Sequence, residues 1–297
     1  MLEGMKDRKR NDADAIFKQA RPVAGAPART LLGRVDAWWA HGAVYAVRSA
    51  MQGTAAVLLP VDCVCCRRPD SVLCAPCAKA MRTACLRPRR VEHRAESLPL
   101  NHHNEPLPVV AAGAYEHELA AVILAFKNRQ MPGLVGMLVP PLARAVKSAI
   151  DTLVEPGAPV VLVPVPTRLQ ARNRRGYFPV GLLLGRLRRT RVLPDRVLVA
   201  GLVRYRATRQ FTSAQKGKGR RARGAVRNSM CAGGGGLPAR LAVLGARVLL
   251  VDDVLTTGST LAEAKRVLAE AGLQVCGAVV LAATPAPDEK RGVRSTR

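Results

Sequence analysis

The most constraining feature of this sequence is the run VLLVDDVLTTGST at residues 248–260. Its apolar start predicts a buried strand that ends in Asp252 and Asp253, and a helical pattern follows the turn. Short side chains in the turn let consecutive backbone N–H groups point at one anion: Thr256, Thr257, Gly258, Ser259 and Thr260. The run predicts a monophosphate cradle, and the carboxylates suit a diol or a hydrated Mg²⁺. The alternative is an ordinary N-capped helix without a ligand.

Short apolar runs alternate with helical patterns from residue 108 onward. Strands are predicted at 107–115, 160–166, 247–254 and 273–284, and helices at 118–129, 137–150, 181–190 and 260–272. The helix at 137–150 is expected to begin at its prolines, and Gly272 is expected to end the last helix. This alternation predicts an α/β fold with a mostly parallel sheet and flanking helices, whose ligands lie at the carboxyl ends of the strands.

Composition divides the rest of the chain. We predict a disordered or weakly ordered tail at 1–55, a four-cysteine module at 56–85 and a linker rich in Arg, His and Pro at 86–107. The α/β domain follows at 108–285, and a disordered C-terminal tail at 286–297. No apolar run reaches the ~18 residues that span a bilayer, and the N-terminus has no secretory pattern. We therefore expect a cytoplasmic protein without membrane insertion.

Four cysteines have the spacing of a structural zinc site. Cys63, Cys66, Cys74 and Cys77 form two C-x2-C pairs separated by seven residues, which lets four thiolates close around one ion. The zinc would help to fold a module too small to form its own core. Disulfides are the alternative, although a reducing compartment disfavours them. Cys65 could replace Cys66 as a ligand. His93, His102 and His103 are either further spare ligands or solvated residues of the linker.

The chain is strongly basic, with 47 Lys and Arg against 21 Asp and Glu and a net charge of +26. This charge predicts an anionic partner. Twenty of the basic residues lie between Glu155 and Asp252, where Asp195 is the one acidic residue. The cluster at 204–227 is predicted to be a mobile loop that closes over an anionic leaving group. The alternatives are a solvated surface and binding to a nucleic-acid backbone, while a content of 3% aromatic residues argues against recognition by base stacking.

Four segments of the sequence resemble known families. VLLVDDVLTTGST resembles the signature of type I phosphoribosyltransferases, and VLVPVPTRLQARNRRGYFPVGLLL and AVILAFKNRQ resemble the ComF group. The Cys-rich segment resembles the zinc ribbon that often precedes the transferase-like domain in that group. Where the group usually has Asn-Gln, this chain has Phe178 and Pro179, which removes two polar side chains and one backbone N–H.

The resemblance implies a fold of the type I phosphoribosyltransferase kind and a ligand, phosphoribosyl pyrophosphate with Mg²⁺. Asp252 and Asp253 would hold the ribose hydroxyls, and the loop at 256–260 would hold the 5′-phosphate. Further candidate site residues are Lys127, Arg172, Arg175 and Gly176. The implied activity is transfer of the phosphoribosyl group to a nitrogen base with release of pyrophosphate. The alternative is a non-catalytic protein of the DNA-uptake type that binds single-stranded DNA.

Overall fold

The computed structural model describes residues 61–101, 104–129, 131–167, 177–206 and 228–285. Its main feature is a six-stranded sheet, built in spatial order from β1 (Arg89–Arg90), β2 (Val109–Ala114), β8 (Gln274–Ala283), β7 (Arg247–Leu255), β3 (Val160–Pro164) and β4 (Val197–Val199). Neighbouring strands are parallel except for β1, which pairs antiparallel with β2. Together with its flanking helices, the sheet confirms the predicted α/β fold class.

Helices cover both faces of the sheet. They are α1 (Ala75–Ala84), α2 (His117–Asn128), α3 (Val135–Leu153), α4 (Pro179–Arg189), α5 (Leu237–Val243) and α6 (Ser259–Glu270). Successive side chains of a strand point to opposite faces, so the sheet separates two apolar cores. Leu249 and Val251 of β7 lie in the core with α1 to α4, which we call the first core. Val248 and Leu250 lie in the core with α5 and α6, the second core.

Helix α3 begins before its prolines, so the predicted start of this helix is wrong. It starts at Val135, directly after a 3-10 turn at Pro132–Leu134, and Pro140 and Pro141 lie inside it. Leu134, Leu138 and Leu142 follow one another at helical spacing and are buried. The stabilisation from burying this apolar stripe therefore outweighs the cost of the backbone hydrogen bonds that the prolines cannot donate.

Residues Pro132–Leu153 are long and apolar enough to cross a membrane by length and composition alone. They form the single such segment among the described residues, and 56% of an 18-residue stretch within it is buried inside the protein. Helix α3 packs against β2, β8 and α4. We therefore interpret it as a helix of the first core.

The strand β4, the helix α5 and a small hairpin were not predicted. The hairpin pairs β5 (Val203–Tyr205) antiparallel with β6 (Met230–Ala232). Strands of three residues are too short to show a reliable apolar period. The backbone N–H of Arg206 donates to the carbonyl of Ser229 at 2.8 Å, which continues the pairing of the hairpin toward its connecting loop. The predicted basic loop begins here, and its residues 207–227 lie outside the described residues.

The Cys-rich module and the predicted linker pack against the sheet and its helices. Met81 of α1 and Cys85 are fully buried in the first core, and Arg144 Nε of α3 donates to the Cys85 carbonyl at 3.1 Å. The segment at 86–107 adds β1 to the edge of the sheet and buries Leu98 and Leu107 in the second core. The predicted tails lie outside the described residues, and the domain boundaries stay a prediction.

Candidate functional site

The acidic pair lies at the carboxyl end of β7. The strand continues through both aspartates to Leu255, one residue beyond the predicted end at 254. Asp253 is 9% exposed, whereas Asp252 is half-buried and accepts the Asp253 backbone N–H at its Oδ1 at 2.8 Å. Ligands of open parallel sheets bind at this end of the strands. The fold therefore places the two carboxylates at the edge that α/β proteins commonly use for binding.

Lys127 contacts this pair from the last turn of α2. Its Nζ lies 2.8 Å from Oδ2 of Asp253, and both side chains are largely buried. The fold thus brings together a residue proposed from the family resemblance and a carboxylate found from the motif around the loop at 256–260, which we call the phosphate loop after its predicted ligand. The ammonium group of Lys127 thus lies against one of two adjacent carboxylates and balances its charge.

Asp252 differs electrostatically from its neighbour. Burial and the Asp253 carboxylate raise the pKa of Asp252 to about 8, although the Asp253 backbone N–H and the charge of Lys127 act in the opposite direction. Asp252 therefore holds a proton near neutral pH when no ligand is present. A ligand that donates hydrogen bonds or brings positive charge favours its ionised form.

The loop after β7 leaves several backbone donors free. Gly258 has φ +84°, a left-handed conformation that glycine adopts at little cost, and α6 begins at the next residue. Thr257 Oγ1 lies 2.9 Å from Ser259 Oγ and accepts the Ser259 backbone N–H at 3.4 Å. Among the described residues, no acceptor pairs with the backbone N–H of Thr256, Thr257 or Gly258. Free donors at a helix N-terminus form an anion-binding site, since the helix dipole adds a favourable potential.

Arg172, Arg175 and Gly176 lie outside the described residues. The described chain resumes at Tyr177, whose hydroxyl donates to the Phe126 carbonyl and whose ring centroid lies 5.6 Å from that of Phe126. Phe126 directly precedes Lys127, so Tyr177 contacts the end of α2 that carries Lys127. Phe178 and Pro179 are buried at the start of α4.

Two further residues contact the phosphate loop and were not predicted as part of the site. The Ser97 backbone N–H donates to the Thr257 carbonyl at 2.9 Å, and the Leu98 side chain packs against Gly258. Both residues belong to the segment predicted as a linker from its Arg, His and Pro content. A single buried leucine in a polar stretch gives no local signal of such a contact.

The four predicted zinc ligands converge in the structure. The Sγ atoms of Cys63, Cys66, Cys74 and Cys77 all lie within 4.8 Å of one another. A tetrahedral Zn²⁺ site with Zn–S bonds of about 2.3 Å needs sulfur–sulfur separations of about 3.8 Å, so the cluster fits this ion. Burial opposes ionisation of Cys63, but backbone hydrogen bonds led by that of Cys66 lower its pKa to about 6. This environment favours the thiolate that binds metal.

Cys65 and His93 lie outside this cluster. The Cys65 thiol points to the Glu118 carbonyl of α2 at 3.9 Å, and burial raises the pKa of Cys65 to about 11. His93 lies in a 3-10 turn at Glu92–Arg94. His102 and His103 lie outside the described residues. Cys65 therefore packs against α2, and the four cysteines that could hold a metal ion are those of the two C-x2-C pairs.

Comparisons with known proteins identify the family. Residues 187–293, which include the acidic pair and the loop, match the phosphoribosyl transferase domain family. Competence protein F of Haemophilus influenzae is 31% identical over 166 residues, which make up 56% of this chain and 68% of that protein. The chain belongs to the ComF family. This ComF-family chain combines the phosphoribosyltransferase-type fold with a group of four cysteines that can hold zinc.

We predict that this ComF-family protein holds one zinc ion in its four-cysteine cluster. Cys74→Ser removes one thiolate, so the variant should lose zinc and melt at a lower temperature, because α1 shares the first core. Metal analysis and thermal unfolding measure the two effects. Cys65→Ser is the matched control and should keep its zinc, since Cys65 lies outside the cluster. Equal zinc content in Cys74→Ser and wild type would contradict the prediction.

The raised pKa of Asp252 predicts a pH-dependent stability. The pKa of about 8 exceeds the unfolded value of 3.8, so a stabilising contribution present below about pH 4 is lost as the pH rises through about 8. The asparagine of the Asp252→Asn variant cannot ionise, so the variant does not lose this stability as the pH rises. Its free energy of unfolding relative to wild type should therefore be higher at pH 9 than at pH 5, by about 1 kcal/mol or more.

Urea unfolding without divalent cations or phosphate, at pH 5 and pH 9, measures this difference. Asp151→Asn controls for the general effect of replacing an aspartate, because Asp151 is an exposed residue of α3 paired with Lys147. The prediction is refuted when Asp252→Asn and wild type differ by the same free energy at both pH values.

Proposed function

We propose that this ComF-family protein binds phosphoribosyl pyrophosphate together with Mg²⁺ at the carboxyl end of β7. One observation carries the proposal: the backbone donors at 256–258, which have no acceptor among the described residues, are separated by only two residues from a pair of adjacent carboxylates. The donors suit a phosphate group, and the carboxylates accept hydrogen bonds from neighbouring sugar hydroxyls. A phosphorylated pentose offers both groups in one molecule.

Each part of the site has a distinct role in this proposal. The loop at 256–260 holds the 5′-phosphate, and Asp252 and Asp253 hold the two ribose hydroxyls. Carboxylate and phosphate oxygens are ligands that Mg²⁺ prefers, so the half-buried Asp252 carboxylate also suits a hydrated Mg²⁺ that enters with the ligand. Lys127 pairs with Oδ2 of Asp253, and the remaining lone pairs of that carboxylate can accept a hydrogen bond from a hydroxyl donor.

The proposed reaction is transfer of the phosphoribosyl group to a nitrogen base. The bond between the anomeric carbon and a pyrophosphate oxygen breaks, and a bond from that carbon to the nitrogen forms while the nitrogen loses a proton. Negative charge develops on the departing pyrophosphate, and Mg²⁺ neutralises part of it when bound. Cationic side chains stabilise the rest, for which the candidates are Lys127, Arg172, Arg175 and the basic residues at 204–227.

The proposal predicts that ligand binding depends on the acidic pair. The double variant Asp252→Asn with Asp253→Asn keeps the shape of the side chains but removes two charge-assisted hydrogen-bond acceptors. Charge-assisted hydrogen bonds contribute about 1.5–3 kcal/mol each, so the Kd for Mg²⁺–phosphoribosyl pyrophosphate should rise by about 100-fold or more. Isothermal titration calorimetry measures this change, with Asp151→Asn as the control. An unchanged Kd in the double variant would defeat the proposal.

Binding to a nucleic-acid backbone is a second candidate function. Arg188, Arg189 and Arg191 are exposed at the end of α4, and no ion pair in the described part of the chain involves them. Clustered arginines of this kind bind phosphates without reading bases. The name of the relative, competence protein F, favours the same candidate.

Salt dependence separates the two functions. If the arginines bind a short single-stranded oligonucleotide, log K should fall linearly with log salt by about 0.7 for each phosphate contacted. The variant Arg188→Ala with Arg189→Ala should have a shallower slope, while replacement of the acidic pair should leave oligonucleotide binding intact. Binding that does not vary with salt, measured by fluorescence anisotropy, rules out this second function.

A further inference from the structure

Leu98 occupies the space beside Gly258 in the phosphate loop. A Cβ atom built on Gly258 would lie 2.8 Å from Cγ and Cδ2 of Leu98 and 3.2 Å from its backbone nitrogen. Leu98 is itself 6% exposed. The segment at 91–98, which we call the strap, therefore lies directly against the residue that gives the loop its left-handed turn.

A hydrogen bond from the strap orients the next peptide group. The Thr257 carbonyl accepts the Ser97 backbone N–H at 2.9 Å and so points at the strap. In a trans peptide, the carbonyl of one residue and the N–H of the next point in opposite directions. No cis peptide bond occurs in the described chain. The Gly258 N–H therefore points away from the strap, and it is one of the three loop donors without a protein acceptor among the described residues.

The strap is firmly held by contacts of its own. Val91, Ala95 and Leu98 are buried in the second core. Glu92 Oε2 accepts the Val109 backbone N–H at 3.2 Å, and its other oxygen lies 2.6 Å from Arg90 Nη2. The strap is thus attached to β2, and it can impose an orientation on the loop.

We propose that Ser97 and Leu98 are positioning residues that keep the Gly258 N–H available to the phosphate of the ligand. Neither side chain touches the ligand in this arrangement. Ser97 acts through its backbone donor to Thr257, and Leu98 packs against the Gly258 main chain and keeps it from shifting toward the strap. The inference rests on the proposed function, because it assigns the loop a phosphate ligand.

Ribose 5-phosphate is the probe for this proposal, and its Kd is measured by calorimetry with the full-length protein. Leu98→Ala should weaken binding about tenfold or more, whereas Leu98→Met, which nearly conserves the volume, should bind like wild type. Leu241→Ala is the matched control. Leu241 is also buried in the second core, but it lies in α5, just before the opposite end of β7. Leu98→Val offers a milder truncation in case Leu98→Ala does not fold.

A double-mutant cycle tests the contact without any ligand. Gly258→Ala should lower the melting temperature less in the Leu98→Ala variant than in wild type, because the truncated side chain leaves room for the added Cβ. Equal effects in both backgrounds would overturn the contact on which the proposal depends.

The binding outcomes distinguish the two proposals. If wild type binds ribose 5-phosphate and Leu98→Ala binds it as well as Leu241→Ala does, the positioning role is wrong while the proposed function stands. If wild type binds neither ribose 5-phosphate nor Mg²⁺–phosphoribosyl pyrophosphate, the proposed function fails, and the positioning role fails with it. Selective weakening in Leu98→Ala, with recovery in Leu98→Met, supports both.

Discussion

Hydrogen bonding of β7 between β3 and β8 is the constraint on which the rest of the structure depends. A parallel strand in this position is covered on both faces, so its residues must be apolar on both faces. Residues 248–251 meet this condition and are fully buried. Polar groups become possible only toward the carboxyl end of the strand, where Asp252 and Asp253 stand. The same strand therefore stabilises the fold and carries the candidate site to its edge.

The charges at this edge are balanced before any ligand arrives. Lys127 pairs with Asp253, and burial keeps Asp252 protonated near neutral pH. This arrangement avoids two adjacent unpaired negative charges in a partly buried place, which would be costly. The free donors of the phosphate loop lie close by in sequence. The candidate site thus combines carboxylates that can accept hydrogen bonds with a loop whose backbone donors suit an anion. Both features suit a phosphorylated sugar.

The N-terminal segments contact the candidate site through Ser97 and Leu98. Helix α1 begins directly after Cys74, contains Cys77 and packs with α2 and α3 in the first core. The strap follows α1 in the chain and contacts the phosphate loop. With zinc bound, the cluster would replace the apolar core that so short a module cannot form. Helix α1 packs in the first core and β1 pairs with β2, so the N-terminal segments are packed directly against the sheet and its helices.

The sequence by itself determined the features that arise from neighbouring residues. The buried strand, the acidic pair, the hydroxyl-rich loop and the two C-x2-C pairs each lie within a short run, and local chemistry specifies them. Lys127 entered the site through family resemblance alone, and its contact with Asp253 depends on the packing of α2. Tertiary structure alone decided the start of α3 and the contacts of Ser97 and Leu98 with the loop. These depend on which distant surfaces are buried together, and a local sequence pattern carries no information about that.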